Sequence, residues 1–344
     1  MNPAPALDPR KAVVLLSGGL DSTLAARLLQ EQGIALHAIH FTSPFCTCSR
    51  PGAGNGGCRS QAQVVASRMG IPIRTVSKGE EYLEIVKHPR HGRGSAMNPC
   101  IDCRIFTLRK ARAFMEEIGA SFLVTGEVLG QRPMSQRDDA LRSIERHSGC
   151  SGLVLRPLSA RHLPPTVPER EGWVDRERLL AITGRSRKEQ ILLADSFGIG
   201  DYPCPAGGCL LTDRGFSVKV RDLLANEPSF GMGDVHLLKA GRHFRVRGIR
   251  AIVAKSEAEN RRLEDLCRGV ATVYVSDSHP GPSVALFGGG EAERMDLLAR
   301  ILTRYSKAVA QGPYVVREVT TDGERRVTVP RNADFQEVER GLLC

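Results

Sequence analysis

In the first third of the chain, short apolar runs alternate with longer stretches in which apolar residues recur periodically. "AVVLL" (12–16), "ALHAIHF" (35–41), "PIRTVS" (72–77) and "SFLVTGE" (121–127) read as strands. Between them, "DSTLAARLLQEQG" (21–33), "SQAQVVASRMG" (60–70) and "CRIFTLRKARAFMEEIG" (103–119) read as helices, each closed by a glycine. Strands alternating with helices predict an α/β fold, a doubly wound parallel sheet. Such sheets bind ligands beyond the carboxyl ends of their strands.

From 128 to about 215 the pattern is less regular. "RHLPPTVPEREG" (161–172) reads as a loop, with helices predicted at 175–182 and 187–197. Regular patterning returns near 215–235. "HFRVRGIRAIVAK" (243–255) reads as two strands around Gly248, "ATVYVSD" (271–277) and "SVALFG" (283–288) as further strands. "EAENRRLEDLC" (257–267) and "EAERMDLLARILTRYSKAV" (291–309) read as helices. Two domains follow, 1–215 and a smaller α/β (α+β) domain over 216–344; a chain of 344 residues is long for one.

The joint between the first strand and helix, "VVLLSGGLDSTLAARLL" (13–29), carries the first chemistry. Gly18 and Gly19 lack a Cβ, so their N–H groups can approach a ligand and adopt positive φ. Ser17 and Ser22 add hydroxyls, and the N-terminus of the following helix faces the loop, which makes an anion cradle. Asp21 suits such a place if it holds Mg²⁺. No G-K-[ST] follows, so this is not a Walker loop.

"SGGLDS" resembles the pyrophosphate loop of the N-type ATP pyrophosphatases, which adenylate a substrate and release pyrophosphate. The resemblance implies that Ser17, Gly18, Gly19, Asp21 and Ser22 bind ATP phosphates, with His40, Phe41 and Thr42 near the adenine. "VTGEVLGQRPMSQ" (124–136) is similar to the T-G-E-x-L-G-Q-x-x-S-Q pattern of tRNA 4-thiouridine synthetases, and "LVLRPLS" (153–159) and "RKEQI" (187–191) follow in that family's order. Over roughly 11–215 this implies an ATP-dependent tRNA sulfurtransferase. Thr125, Gly126 and Glu127 would line the nucleotide pocket, Gln131 and Gln136 would flank it, and Lys188 would serve adenylation. Little chain precedes the loop, where a ferredoxin-like and a THUMP domain stand in the familiar bacterial form, and no rhodanese domain is evident. RNA capture is therefore expected elsewhere.

Ten cysteines occur. Without an apolar leader segment near the N-terminus, the chain is expected in the cytoplasm, where clustered cysteines point to metal or redox chemistry rather than disulfides. "NPCIDCR" (98–104) is a C-x-x-C at a helix start, which lowers thiol pKa. "CPAGGC" (204–209) supplies Cys204 and Cys209. Several tRNA-thiolating relatives hold a [4Fe–4S] cluster with a C-x-x-C and a distant third cysteine. The resemblance implies the same for Cys100, Cys103 and Cys209, with Cys204 as the alternative third ligand. A persulfide route and a structural zinc stay open at the same thiols. Cys46, Cys48 and Cys58 look like a further set, for zinc, a second cluster or a sulfur relay.

Charge adds a partner. The chain has 48 Lys and Arg against 38 Asp and Glu, net +10, and residues 239–255 hold six Lys and Arg with no acid. Alternation puts Arg245 and Arg247 on one strand face, a stripe suited to a phosphate backbone. "HFRVRGIRAIVAKSEAENRRLEDL", "HPGPSVALFG" and "ILTRYSKA" resemble, in order, the RNA-binding module of the NFACT proteins, which implies tRNA as the partner. The sulfur donor is expected to be inorganic sulfide or a persulfide carrier, and a homodimer is compatible with the chain. No apolar run approaches the roughly 18 residues of a membrane span.

Overall fold

The computed structural model describes residues 7–47, 58–200, 208–277, 280–306 and 312–343, and the side chains of 58–60 are outside that description. The chain forms two compact units, Met1–Leu210 and Leu211–Cys344.

The first unit is built on a five-stranded parallel sheet: β1 (Asp8–Leu15), β2 (Ala35–Thr42), β3 (Ile73–Ser77), β4 (Ala120–Thr125) and β5 (Val154–Leu155), in the order β3-β2-β1-β4-β5. Helices α1 (Leu20–Gln30), α2 (Cys58–Arg68), α3 (Glu80–Lys87), α4 (Cys100–Glu117), α5 (Asp138–Ser148), α6 (Val167–Arg170) and α7 (Lys188–Ser196) complete it. Strand side chains alternate between faces. Val14 and Leu16 join Leu24, Leu29 and Ala66 in one core, while Val13, Ile39 and Leu123 join Ile105, Leu108 and Phe114 in another. The sheet is therefore covered on both sides, as the near-continuous apolar runs require. The strand order reverses between β1 and β4. Their carboxyl ends, where Leu15 pairs with Thr125, form the switch point at which such folds bind ligands.

The second unit is a six-stranded antiparallel sheet with helices. Its strands are β6 (Arg242–Val246), β7 (Ile249–Val253), β8 (Thr272–Ser276), β9 (Val284–Phe287), β10 (Tyr314–Thr320) and β11 (Gly323–Val329), in the order β11-β10-β8-β9-β7-β6. Its helices are α8 (Arg214–Asn226), α9 (Met232–Leu237), α10 (Glu257–Cys267), α11 (Glu291–Tyr305) and α12 (Gln336–Gly341). Phe244, Tyr274, Leu298 and Ile301 lie in its core.

The structure departs from the sequence reading in several places, among them the stretch read as a loop at 161–172, which holds α6. Residues 175–182 are not a helix: a single 3-10 turn spans Arg176–Arg178. The backbone beyond it is committed to extended pairing, with Leu180 N–H donating to Pro157 O and Ile182 N–H to Leu158 O. Helices α3 and α5 went unread. In α5 only Ala140, Leu141, Ile144 and Ser148 are buried among eleven mostly polar residues, so its apolar stripe is narrow. The β10–β11 hairpin was also unread, because the outer strand β11 is exposed along most of its length and carries polar residues. Among the described residues no helix is long and apolar enough to cross a membrane.

Candidate active site

The Ser-Gly-Gly loop closes on itself. Ser17 N–H donates to Ser22 Oγ at 3.2 Å, the two hydroxyls lie 3.0 Å apart, and Ser22 Oγ donates to Gly19 O at 3.0 Å. Gly19 sits at the N-cap of α1 in extended conformation and has no side chain to occupy the helix N-terminus. Gly18 has φ +77°, and a Cβ there would stand 2.6 Å from the backbone nitrogen of Ala62, so glycine is required on both grounds. The result is a helix N-terminus framed by two hydroxyls, a site for an anion.

Asp21 stands in the first turn of α1. Gln131 Nε2 donates to Asp21 Oδ2 at 3.2 Å, and Arg187 Nη2 approaches the same oxygen at 3.7 Å. Asp21 Oδ1 is buried and accepts no hydrogen bond among the described residues. A hard-oxygen ligand left over beside a phosphate cradle fits Mg²⁺.

The end of β4 closes the other side. A Cβ on Gly126 would lie 2.5 Å from the backbone carbon of Asp21 and the nitrogen of Ser22, so only glycine lets β4 pass the loop. Thr125 Oγ1 donates to Glu127 Oε2 at 3.3 Å. Glu127 is buried, which would raise its pKa, but Arg104 (3.1 Å) and Arg156 (3.2 Å) hold its carboxyl below the ordinary range. It is therefore a structural anion that fixes Arg104. Buried His40 donates from Nδ1 to Leu16 O at 2.9 Å, bracing β2 beneath the loop, with Phe41 and Thr42 half-buried beyond it. Gln136 is buried, and Gly130 N–H donates to its carbonyl at 2.7 Å, shaping the 128–136 loop. Lys188 is exposed; the side chain of that segment that reaches Asp21 belongs to its neighbour Arg187.

The C-x-x-C occupies the first turn of α4, which begins at Cys100 rather than at Cys103. Between the two cysteines, Asp102 turns away to accept from His91 N–H at 2.9 Å and pairs with His91 Nδ1 at 2.8 Å, anchoring the preceding loop. Asn98 Nδ2 donates to Cys100 Sγ at 3.1 Å, and Lys78 Nζ to Cys103 Sγ at 3.0 Å. Cys103 is half-buried, and its desolvation alone would raise its pKa. The charge and hydrogen bond of Lys78, with a hydrogen bond from Tyr82, outweigh burial and lower it, favouring thiolate. Cys209 is brought in by pairing with the stretch after β2. Leu210 N–H donates to Phe45 O (2.7 Å) and Thr47 N–H to Gly208 O (3.0 Å), so Cys46 and Cys209 face each other as a non-hydrogen-bonded antiparallel pair. In such pairs the Cβ atoms are roughly 4.5–5.5 Å apart on one face.

Buried Tyr82 joins the set. Its hydroxyl is pushed well above the phenol range by burial and then by Cys103, Cys209 and Cys100 around it. Three thiols thus surround one phenol, and none is in a disulfide. Among the described residues, no three His, Cys, Asp or Glu side chains converge closely enough to hold one metal ion. The donors are all thiols, a soft set that fits an iron–sulfur cluster and equally a zinc ion. Cys48 and Cys204 lie outside the described residues, as does the side chain of Cys58.

In the second unit the expected stripe is not there. Arg245 lies on β6, but the strand ends at Val246, and Arg247 occupies the turn at φ +47°. Arg245 is held by Asp222 (2.6 Å) and Glu227 (2.8 Å), Arg250 by Asp234 (2.8 Å) and Glu227 (3.3 Å), and Arg247 by Glu337. The acids come from α8, α9 and α12, distant in sequence, so local charge counting could not foresee the neutralisation.

Residues 9–162 match the family model described as thiamine biosynthesis protein (ThiI), and residues 241–340 match the NFACT protein RNA binding domain. The first unit is thus similar to the ThiI proteins and the second to the NFACT RNA-binding domain. Among curated proteins it is similar to the tRNA-specific 2-thiouridylase MnmA of Psychromonas ingrahamii, 27% identical over 151 residues, covering 40% of this chain and 39% of that protein. It thus spans about two-fifths of the length of the curated relatives it matches. Among solved structures it is similar to a 4-thiouridine synthetase in complex with RNA and bound ATP (24% identity, 67% of this chain and 52% of that one, TM-score 0.36). Another is the U34-tRNA thiolase NcsA of Methanococcus maripaludis with its [4Fe–4S] cluster (17% identity, 67% and 70%, TM-score 0.29).

Four residues of the ThiI-type site escaped sequence reading: Lys78, Tyr82, Asn98 and Arg187. Asn98 and Arg187 each adjoin a quoted motif and could have been noticed. Lys78 and Tyr82 carry no local signal: Lys78 follows β3 and Tyr82 lies on α3, and only tertiary packing brings both to the thiols.

Proposed function

We propose that the protein is an ATP-dependent tRNA sulfurtransferase that converts a uridine to thiouridine. The observation that carries the proposal is the proximity of two chemistries. The 131–134 loop contacts Asp21 of the phosphate loop through Gln131 and, through Asn98 beside Met134, reaches Cys100 of the C-x-x-C. Activation and sulfur delivery thus share one strand-end crevice, in a chain that also carries an RNA-binding domain.

The loop Ser17–Ser22 and the α1 N-terminus receive the ATP phosphates, and Asp21 is placed to hold Mg²⁺, which would neutralise phosphate charge when bound. The uridine carbonyl oxygen attacks the α-phosphorus, expelling pyrophosphate and leaving an adenylated base. Adenylation is needed because the carbonyl oxygen is a poor leaving group and AMP a good one. Sulfide, supplied as inorganic sulfide or by a persulfide carrier with a thiol reductant, then displaces AMP and loses a proton. Cys100, Cys103 and Cys209 would hold a [4Fe–4S] cluster, which would supply a binding place for sulfide. The 124–136 motif favours the C4 carbonyl. The NFACT-type domain binds the tRNA.

Anaerobically purified protein, given ATP, sulfide and tRNA, is expected to release pyrophosphate in step with thiouridine, with chromatography separating the 4-thio from the 2-thio base. Iron should fall away in Cys100→Ala. Pyrophosphate release at full rate without RNA would overturn the proposal. It would favour adenylation of a small molecule, the reading that the thiamine-biosynthesis description of the first domain suggests.

A further inference from the structure

We propose that Arg132 is a phosphate-binding residue that grips the α-phosphoryl group of ATP between the phosphate loop and the C-x-x-C. The inference rests on the reaction proposed above for the identity of its ligand.

Position 132 lies on a braced loop. Gln131 N–H donates to Val128 O, Gly130 N–H to Gln136 O and Gln136 N–H to Arg132 O, while Leu129 N–H donates to the buried Ser159 hydroxyl. Its two ends are tied to the two chemistries. Gln131 donates to Asp21, and Met134 shares Asn98 Nδ2 (3.8 Å) with Cys100. Arg132 is therefore bracketed between nucleotide activation and sulfur delivery.

The carboxylates of this region are already engaged. Asp21 receives Gln131 and Arg187, and Glu127 receives Arg104 and Arg156. Among the described residues Arg132 makes no ion pair and no side-chain hydrogen bond. Its guanidinium is solvent-accessible yet half-enclosed. Partial burial and the like charges of Arg104 and Arg187 lower its pKa, against the pull of Cys100 and Asp21. Arg104 and Arg187 are offset by Glu127 and Asp21, so Arg132 is the uncompensated cation of this recess, a charge that an anion relieves. A planar guanidinium suits a phosphoryl group because it can donate two parallel hydrogen bonds. The terminal phosphates belong to the Ser17–Ser22 cradle. Residue 132 lies on the loop between Gln131, which holds Asp21, and Met134, which shares Asn98 with Cys100, and the carbonyl must become bonded to the α-phosphorus between those two places. A fixed cation there meets the charge that the non-bridging oxygens carry during attack.

The test is equilibrium titration of AMP and ATP into the full chain, without turnover, on wild type, Arg132→Gln and Arg132→Lys. Filter binding of tRNA across a salt series and a thermal unfolding curve accompany it. Arg132→Gln is expected to weaken AMP binding about tenfold or more, the scale of a charge-assisted contact. Arg132→Lys should recover part of that loss, with tRNA affinity and unfolding unchanged. Unchanged AMP affinity in Arg132→Gln overturns the assignment. So does a loss confined to tRNA affinity with a flatter salt dependence, which would make Arg132 an RNA-backbone contact. Because binding is read without chemistry, a protein that grips AMP through Arg132 but thiolates no tRNA overturns the sulfurtransferase reading alone. Wild type that binds neither nucleotide overturns both.

Discussion

The ThiI-type and NFACT-type units place arginine in opposite circumstances. In the first, Arg104 and Arg187 pair with Glu127 and Asp21, while Arg132 beside them has no ion-pair partner among the described residues. In the second, Arg245 and Arg250 lie within a sheet, each clasped by two acids from neighbouring helices. Yet it is the second unit that presents the conspicuous basic run in sequence. The comparison teaches that a count of charges locates nothing until each charge's partner is known. Charges drawn into a fold need counter-ions because uncompensated burial is costly. Charges retained for a ligand are left without them.

The comparison can be broken most forcefully at Gly126. Gly126→Ala sets a methyl group against the Asp21–Ser22 backbone and is expected to abolish AMP and ATP binding and to cost about 3 kcal/mol of stability. Titration and denaturant unfolding read the two effects; retained nucleotide affinity would show that the loop is not the phosphate site. Next in size is Arg245→Met. It strands Asp222 and Glu227, and with their partial exposure it should cost about 2 kcal/mol. Its affinity for tRNA should stay within about twofold, since a counter-ion partner contributes nothing to counterion release from RNA. A large loss of tRNA affinity would restore β6 as the RNA face. The smallest effect concerns Glu127. Its folded pKa lies below its unfolded value of about 4.3, so its contribution to stability is present above that pH and is lost as pH falls through the folded pKa. Glu127→Gln should flatten this acid limb in denaturation midpoints followed downward from neutrality, as well as lowering stability at neutral pH by leaving Arg156 with Glu145 as its one remaining carboxylate. An unchanged limb would mean that Glu127 is not the anion holding Arg104.

Much of the candidate site was legible because its parts are contiguous. Ser17 to Ser22, Thr125 to Glu127 and Cys100 with Cys103 are short strings whose chemistry is local, and Gln131 does sit on Asp21. The failures have a common form. Residues 175–182 have helical composition but are held extended by pairing with Pro157 and Leu158. Arg247 continues the strand's alternation on paper but falls in a turn. Lys188 stands in the motif, whereas Arg187 reaches the site. In each case a partner distant in sequence outweighed a local preference.

Local pattern was enough for the parallel architecture of the first unit, the place of the candidate anion cradle and the presence of a second, distinct unit. Those follow from apolar periodicity and from glycines that no other residue replaces. Only the tertiary structure decided which charges are committed and which remain available. It also decided that Cys209 lies opposite Cys46, and that Lys78 and Tyr82 attend the thiols. Those outcomes depend on where backbone pairing and helix packing bring residues far apart in the chain, which no local pattern encodes.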